Sequence, residues 1–341
     1  MYVIYHSSDS FASVTGVSMV SLFENNKDFE QIQVLYIERG MSEENRDKLR
    51  KIADTYGRQL QFMEMPNWSE KLNITLQSCK SGWLGFGYNR LFLTEYVPDS
   101  IDRVLYLDSD TIIEGSLTEL WNVNMDDYYL AGVDDCLSSK YRDVVGLDRN
   151  GTYVNAGMLL INLKKWREDN IINEFIQMIY KNNGYFVFNE QTIINSLFCG
   201  KIKILPQKYN VNSLVYLFEY DELMKLRKPY KFSYNQEEYY EARKNPIITH
   251  YTGNFYVSRR PWVQDSDHPH KDKYLEFYSL TPWREIELKK DTQSRNAKIY
   301  NKVCRILPRK VMIGLVSIIY NNIRPGLFIY KKKQATKLVK V

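Results

Sequence analysis

From the amino terminus, short apolar runs alternate with segments whose apolar residues recur at helical spacing. The run "YVIY" predicts a first strand, followed by a helix from about Ala12 to Asn25, and "IQVLYI" predicts a second strand. "SEENRDKLRKIADTYG" predicts a helix capped by Ser42, with Glu43 and Glu44 in its first turn, a stripe of Leu49, Ile52, Ala53 and Tyr56, and Gly57 as its stop. "LQFMEM" reads as a third strand, and a helix around Gly87 to Tyr96 leads past Pro98 into the strand "RVLYL". "LAGVD" and "AGMLLINL" follow as strands, "KKWREDNIINEFIQMIYKN" as a helix ending near Gly184, "EQTIINSLF" as a shorter helix, "IKIL" as a strand and "PIITHYTG" as a late strand with a loop after it. Between Gln207 and Asn245 the pattern is too irregular to assign. This alternation predicts an α/β fold, a mixed but mostly parallel sheet flanked by helices. There are no repeats, and no apolar run approaches the roughly 18 residues that a membrane span needs.

The stretch "RVLYLDSDT" places Asp108 and Asp110 at the end of an apolar strand. If the strand continues through them, residues i and i+2 point to one side and both carboxylates meet at one point. Two anions held together need a cation, and a hard ion such as Mg²⁺ or Mn²⁺ suits oxygen ligands. The alternative is a surface turn in which the two Asp side chains cap loop backbone.

The 341 residues, 44% hydrophobic and 26% charged, suffice for one large or two modest globular domains. The 27 tyrosines suit pockets that are apolar on one side and hydrogen-bonding on the other, or follow from codon bias alongside the many Asn, Ile and Lys residues. Cys79, Cys136, Cys199 and Cys304 are far apart with no C-x-x-C pair, so neither a zinc site nor a disulfide framework is expected and a reducing cytoplasm fits. The start, "MYVIYHSSDSF", lacks the basic flank and long apolar stretch of a signal peptide. Charge is uneven. No acidic residue follows Asp291, and the twelve Lys and Arg residues beyond it, set against a chain total of +5, leave −7 on the preceding part. An acidic body with a basic tail calls for an anionic partner of the tail.

Four stretches, "RVLYLDSDTIIEGSLTELW", "YVNAGMLLINLKKWRE", "NEQTIINSLFCGKIKILPQKYN" and "HYTGNFYVSRRPW", occur in an order and spacing that resemble glycosyltransferase family 8. That family includes bacterial α-galactosyl- and α-glucosyltransferases of lipopolysaccharide synthesis, and glycogenin. The resemblance covers about residues 1–285 and implies a GT-A fold, a UDP-sugar donor, Mn²⁺ with Mg²⁺ as the alternative, and transfer with retention of anomeric configuration.

The resemblance assigns Asp108, Asp110 and His250 to the metal. It places Ser8 and Asp9 at uridine and ribose, Arg90 near the donor sugar and phosphate, and Ser109 at the nucleotide through its backbone. Gly253 would let backbone approach the phosphates, and Arg260 stands where many relatives have Lys before Pro-Trp; Arg259 is expected to be a solvated loop residue. Asn155 offers an amide suited to a vicinal diol, and Asp135, Glu190 and Gln191 complete a polar wall, with Asp134 replacing Asp135 if the register differs by one. Many relatives have Asp-Gln where this chain has Glu-Gln. Gln191 stands where a nucleophile would be sought and an amide is a poor one, so a front-face reaction is expected, with Glu190 assisting electrostatically.

Beyond the resemblance, residues 286–341 form a basic segment in which Ile299, Val303, Ile306 and Leu307 recur at helical spacing among cationic residues. Such a segment is expected to lie on an anionic membrane surface, as suits an enzyme acting on a glycan or lipid-linked acceptor at the inner face of the cell membrane. The alternative is a helix packed on the body with a disordered basic end. UDP-glucose or UDP-galactose is the expected donor, and no nucleic acid partner is expected. Rival functions are a phosphatase of the haloacid dehalogenase type, whose Asp-x-Asp-x-Thr motif "DSDT" matches, and a nucleotide-sugar-binding protein without transferase activity or a nucleic-acid-binding protein using the tail.

Overall fold

The computed structural model describes residues 1–64, 68–72, 87–253 and 259–338. Strands β1 (Tyr2–Ser8), β2 (Gln33–Arg39), β3 (Gln59–Glu64) and β4 (Arg103–Leu107) are joined by β6 (Leu130–Asp134), β7 (Val154–Asn162) and β8 (Ile202–Ile204) in a seven-stranded sheet of order β3-β2-β1-β4-β7-β6-β8. Neighbours pair in parallel except at β7, which runs antiparallel to both β4 and β6. A small second sheet takes β5 (Thr111–Ile113), β10 (Ile248–His250) and β9 (Val211–Asn212), with β10 in the middle.

The uninterrupted apolar runs are explained by burial on both faces. Val3, Tyr5, Leu105 and Leu107 enter one core with helices α1 (Ala12–Glu24) and α2 (Glu43–Thr55), while Ile4, Val104 and Tyr106 enter the other. The second core is closed by a 3₁₀ helix (Tyr88–Glu95), a helix at Ile171–Lys181 and helix α3 (Asn189–Leu197). As expected, Ser42 caps α2, its side chain accepting from the Asn45 amide. The helix expected through "KKWREDNIINEFIQMIYKN" is two, Leu163–Glu168 and Ile171–Lys181, because Asn170 adopts the left-handed conformation between them. The unassigned stretch resolves into short pieces, including helix α4 (Tyr220–Arg227) and a helix at Gln236–Lys244, each opened by a capping box.

The basic segment is helical over its described length. Helix α5 (Arg295–Ile306) precedes α6 (Arg309–Ile318), which continues through a π-helical turn (Ile319–Ile323) into α7 (Arg324–Leu338). Met312, Ile313 and Val316 of α6 pack with Leu223 and Leu226 of α4, and the Arg309 guanidinium pairs with Glu222 at 2.7 Å. On α5 the expected stripe divides. Of its four residues only Leu307, just past the end of the helix, packs inward, in the same cluster as the buried Cys304, whereas Ile299, Val303 and Ile306 are 53%, 48% and 73% exposed. The expectation that no segment is apolar enough to span a membrane needs correction. Arg309–Lys332 is one helix long and apolar enough by length and composition, since Asn321, Asn322 and Arg324 interrupt its apolar run without interrupting the helix, and 39% of its apolar window is buried.

Candidate active site

The acidic pair does not lie on a continuing strand. β4 stops at Leu107 and β5 begins at Thr111, so Asp108 to Asp110 form a turn. Three hydrogen bonds shape it: the Asp108 amide donates to the Gly157 carbonyl at 2.8 Å, the Thr111 hydroxyl to the Asp108 carbonyl at 2.8 Å, and the Tyr251 amide to the Asp110 carbonyl at 2.8 Å. The turn achieves what strand geometry was expected to do. Ligand atoms of Asp108, Asp110 and His250 all lie within 4.8 Å of one another, with His250 Nε2 3.2 Å from Asp110 Oδ1 and 3.8 Å from Asp108 Oδ2.

His250 reaches this point from β10 only because residue 157 lacks a side chain. A Cβ on Gly157 would sit 2.0 Å from His250 Cε1. The other ring nitrogen, Nδ1, lies 3.1 Å from Asn210 Oδ1, so Nδ1–H donates there and Nε2 faces the carboxylates, where its lone pair would serve a bound ion. Burial opposes protonation of the buried imidazole, but Asp110 and Asp108 outweigh it and raise its pKa. Burial likewise opposes ionisation of Asp110, yet His250 and Arg260 hold its pKa below the ordinary carboxylate value. Two carboxylates and an imidazole so oriented are a donor set for a divalent cation.

Guanidinium groups flank the carboxylates. Arg90 Nη2 is 3.0 Å from Asp108 Oδ1 and 3.5 Å from Glu190 Oε1, and its Nη1 donates to the Ala156 carbonyl. Arg260 Nη1 is 3.1 Å from Asp110 Oδ2, in space left by Gly253, where a Cβ would lie 2.7 Å from Arg260 Nη2. The Glu190 pKa is raised by burial, with Asp108 adding to the effect and Arg90 opposing it. Ser8, Arg90, Asp108, Ser109, Asp110, Glu190 and Arg260 line one cleft of about 520 Å³, joined by His6, Phe11 and Asn189, which sequence reasoning missed.

The polar wall forms a second, smaller cavity of about 240 Å³, lined in part by Asp135, Asn155, Gln191 and Gly253. Asn155 Nδ2 donates to Asp135 Oδ1 and Gln191 Nε2 to Asp135 Oδ2, both at 3.1 Å. Asn210 Nδ2 donates to Asn155 Oδ1 at 3.1 Å, so one chain of hydrogen bonds runs from His250 to Gln191. Burial raises the Asp135 pKa, against the pull of Arg227 and its two amide donors. Asp134 is buried away from this cavity, accepting from the Cys136 amide at 2.9 Å and the Ser233 hydroxyl at 2.5 Å. The register therefore places Asp135 at the cavity.

Two expected residues serve other contacts. Asp9 Oδ1 accepts from the Ser42 amide and hydroxyl and from Asn45 Nδ2, tying the loop after β1 to the start of α2. The Ser109 hydroxyl donates to the His6 carbonyl at 2.9 Å. Arg259 binds its own loop through the Asp265 carbonyl and Asp267. Residues 254–258 of the expected phosphate loop lie outside the described residues. The phosphatase alternative expects its motif to open the domain, whereas "DSDT" follows the fourth strand here.

The family model for glycosyl transferase family 8 matches residues 2–265. A lipopolysaccharide 1,2-glucosyltransferase of Escherichia coli is 27% identical over 317 residues, covering 91% of this chain and 87% of that protein. General stress protein A of Bacillus subtilis strain 168 is 24% identical over 290 residues, covering 84% of this chain and 96% of its own. Among solved structures, galactosyltransferase LgtC in complex with donor and acceptor sugar analogs superposes with a TM-score of 0.68 at 26% identity, over 84% of this chain and 99% of that one. The mixed sheet and flanking helices are its GT-A architecture. A match over most of the chain, on a fold that brings the four sequence stretches to the cleft and the smaller cavity, has one meaning: this chain belongs to glycosyl transferase family 8.

Proposed function

We propose that this glycosyltransferase is a retaining hexosyltransferase that moves glucose or galactose from a UDP-sugar to a glycan or lipid-linked acceptor, with Mn²⁺ at Asp108, Asp110 and His250. The observation that carries this reading is the convergence of those three side chains beside a cleft that also holds Arg90 and Arg260. A divalent ion bound there supplies positive charge against the diphosphate leaving group. Arg90 and Arg260 add fixed donors for the same phosphates. Ser8 and Ser109 line the same cleft, which supports their proposed contacts to the nucleoside. Asp135, Asn155 and Gln191 are tied to one another in a polar wall suited to sugar hydroxyls, where the transferred hexose would meet the acceptor. Gln191 is committed at both ends of its amide, accepting from the Ala156 amide at 2.9 Å and donating to Asp135, which argues against a covalent intermediate on it. In a front-face reaction the anomeric carbon–phosphate oxygen bond breaks as the acceptor oxygen bonds on the same face, and the acceptor's proton passes to the departing oxygen. Glu190 supports the positive charge that develops on the sugar.

The basic segment from residue 286 is the proposed membrane attachment, placing the enzyme at the cytoplasmic face. Its support is the exposed row Ile299, Val303 and Ile306 on a helix with basic neighbours. The direct test is UDP release from a panel of UDP-sugars with Mn²⁺, with Mg²⁺ and with neither, comparing the intact protein with Asp110→Asn. One hexose donor should be turned over in the presence of the ion, and the variant should lose roughly 10²–10³-fold. Absence of both turnover and UDP binding in Mn²⁺ would sink the proposal.

A further inference from the structure

Besides the polar wall, the 240 Å³ cavity is lined by Arg227, Tyr320 and Arg324, and the last two come from the basic C-terminal segment. They are presented by the π-helical turn at Ile319–Ile323 and the first residue after it. The sequence accounts for the turn. Pro325 has no N–H for the carbonyl four residues earlier and its ring crowds that carbonyl, a conflict that a wider turn relieves. Such turns recur at functional sites.

The turn is held in place over the cavity. Asn321 Nδ2 donates to the Leu226 carbonyl at 2.8 Å, its Oδ1 accepts from the Ser138 hydroxyl at 2.5 Å, and the Ser317 hydroxyl donates to the Lys225 carbonyl at 3.0 Å. Arg227 donates to the Tyr320 hydroxyl, and the Cζ atoms of Arg227 and Arg324 lie 4.3 Å and 5.9 Å from the Tyr320 ring centroid. Among the residues lining the cavity, two guanidinium groups therefore stand against one carboxylate, Asp135. The polar wall suits hydroxyl groups, and planar forks of donors suit an oxyanion.

We infer that this cavity is an acceptor subsite for an anionic carbohydrate, which places hydroxyl groups at Asp135 and Gln191 and a phosphate or carboxylate at Arg227 and Arg324. The C-terminal segment thus completes the substrate site. The inference rests on the transferase reading above and names the class of acceptor that it takes.

The test uses the full chain with saturating UDP and Mn²⁺, so that the nucleotide part of the donor cleft is filled. Glucose, glucose 6-phosphate, glucuronate and inorganic phosphate are then titrated calorimetrically. An anionic sugar should bind about tenfold tighter than both glucose and inorganic phosphate, and whichever of the two does so identifies the anion. Arg324→Gln should erase that preference, while Arg324→Lys, which keeps the charge, should retain more of it. The inference is overturned if neither anionic sugar exceeds glucose, if inorganic phosphate binds as tightly as the sugar phosphate, or if Arg324→Gln keeps the preference. UDP binding by the unaltered protein is measured first. Its failure would remove the transferase reading and this inference together, whereas UDP binding without any anionic preference would remove the inference alone.

Discussion

Helices α1 and α5 are nearly equal in length, thirteen and twelve residues, yet eleven residues of α1 are buried and a single one of α5, Cys304. α1 is wedged between the sheet, α2 and the helix at Lys271–Tyr278, so even Ser18, Ser21 and Thr15 are enclosed. The α1 serines find partners there: Ser18 lies 2.9 Å from the Tyr5 hydroxyl and Ser21 accepts from the Ile113 amide at 2.9 Å. α5 has the sharper division of apolar and charged residues, but about half or more of each side chain in its apolar row, Ile299, Val303 and Ile306, is exposed. Apolar side chains on the two helices thus have different uses. In α1 they hold the sheet that positions the ion cluster, and in α5 they remain available to a surface outside the protein.

Matched truncations give the largest contrast. Leu22→Ala in α1 should cost about 2–5 kcal/mol in urea denaturation, since Leu22 is fully buried. A much smaller loss would mean that the α1 core can collapse around the change. Gly157→Ala should lower Mn²⁺ affinity by about 10–100-fold, measured by titration, because the added methyl displaces His250. Unchanged affinity would remove His250 from the site.

Acid separates the two regions further. Burial pushes the His268 pKa from 6.5 down to about 4, so the unfolded chain takes up the proton first. The stability that His268 contributes is present in full above pH 6.5 and falls on acidification, by about 2 kcal/mol at pH 5. Urea midpoints at pH 7.5 and 5.0 should differ less in His268→Gln; an equal difference would assign the acid sensitivity elsewhere. The segment beyond Asp291 has neither histidine nor acidic side chains, so binding to anionic vesicles should stay level over the same range and weaken with salt. The smallest stability effect is expected at Ile306→Ala, within about 0.5 kcal/mol, accompanied by about a tenfold loss of vesicle binding. A stability loss like that of Leu22→Ala would show that α5 is structural after all.

What was legible beforehand follows from how local its causes are. "RVLYL" and "IQVLYI" reveal buried strands because burial on both faces leaves a run with no polar interruption. Asp108 and Asp110 were visible as a pair, but the turn that joins them depends on Gly157 and Tyr251, which are remote in sequence. His250 was legible through family resemblance, whereas Asn210, which orients it, lies in the stretch of short capped elements where no period is long enough to read. Asp9 was read as a nucleotide contact, and its bonds to Ser42 and Asn45 could not be foreseen from a loop sequence. The stripe on α5 was correctly seen as apolar, but spacing alone does not say which of its members turns inward.

Gly157 carries a consequence for how this chain can drift. Its carbonyl holds the Asp108 amide while the space beside its Cα admits the His250 ring. Every single-nucleotide change of a glycine codon that alters the amino acid adds a Cβ, so no one-step neighbour of this codon preserves that space. In a library of random variants the position should survive almost solely as silent changes, even though the residue itself contributes no side chain to the chemistry.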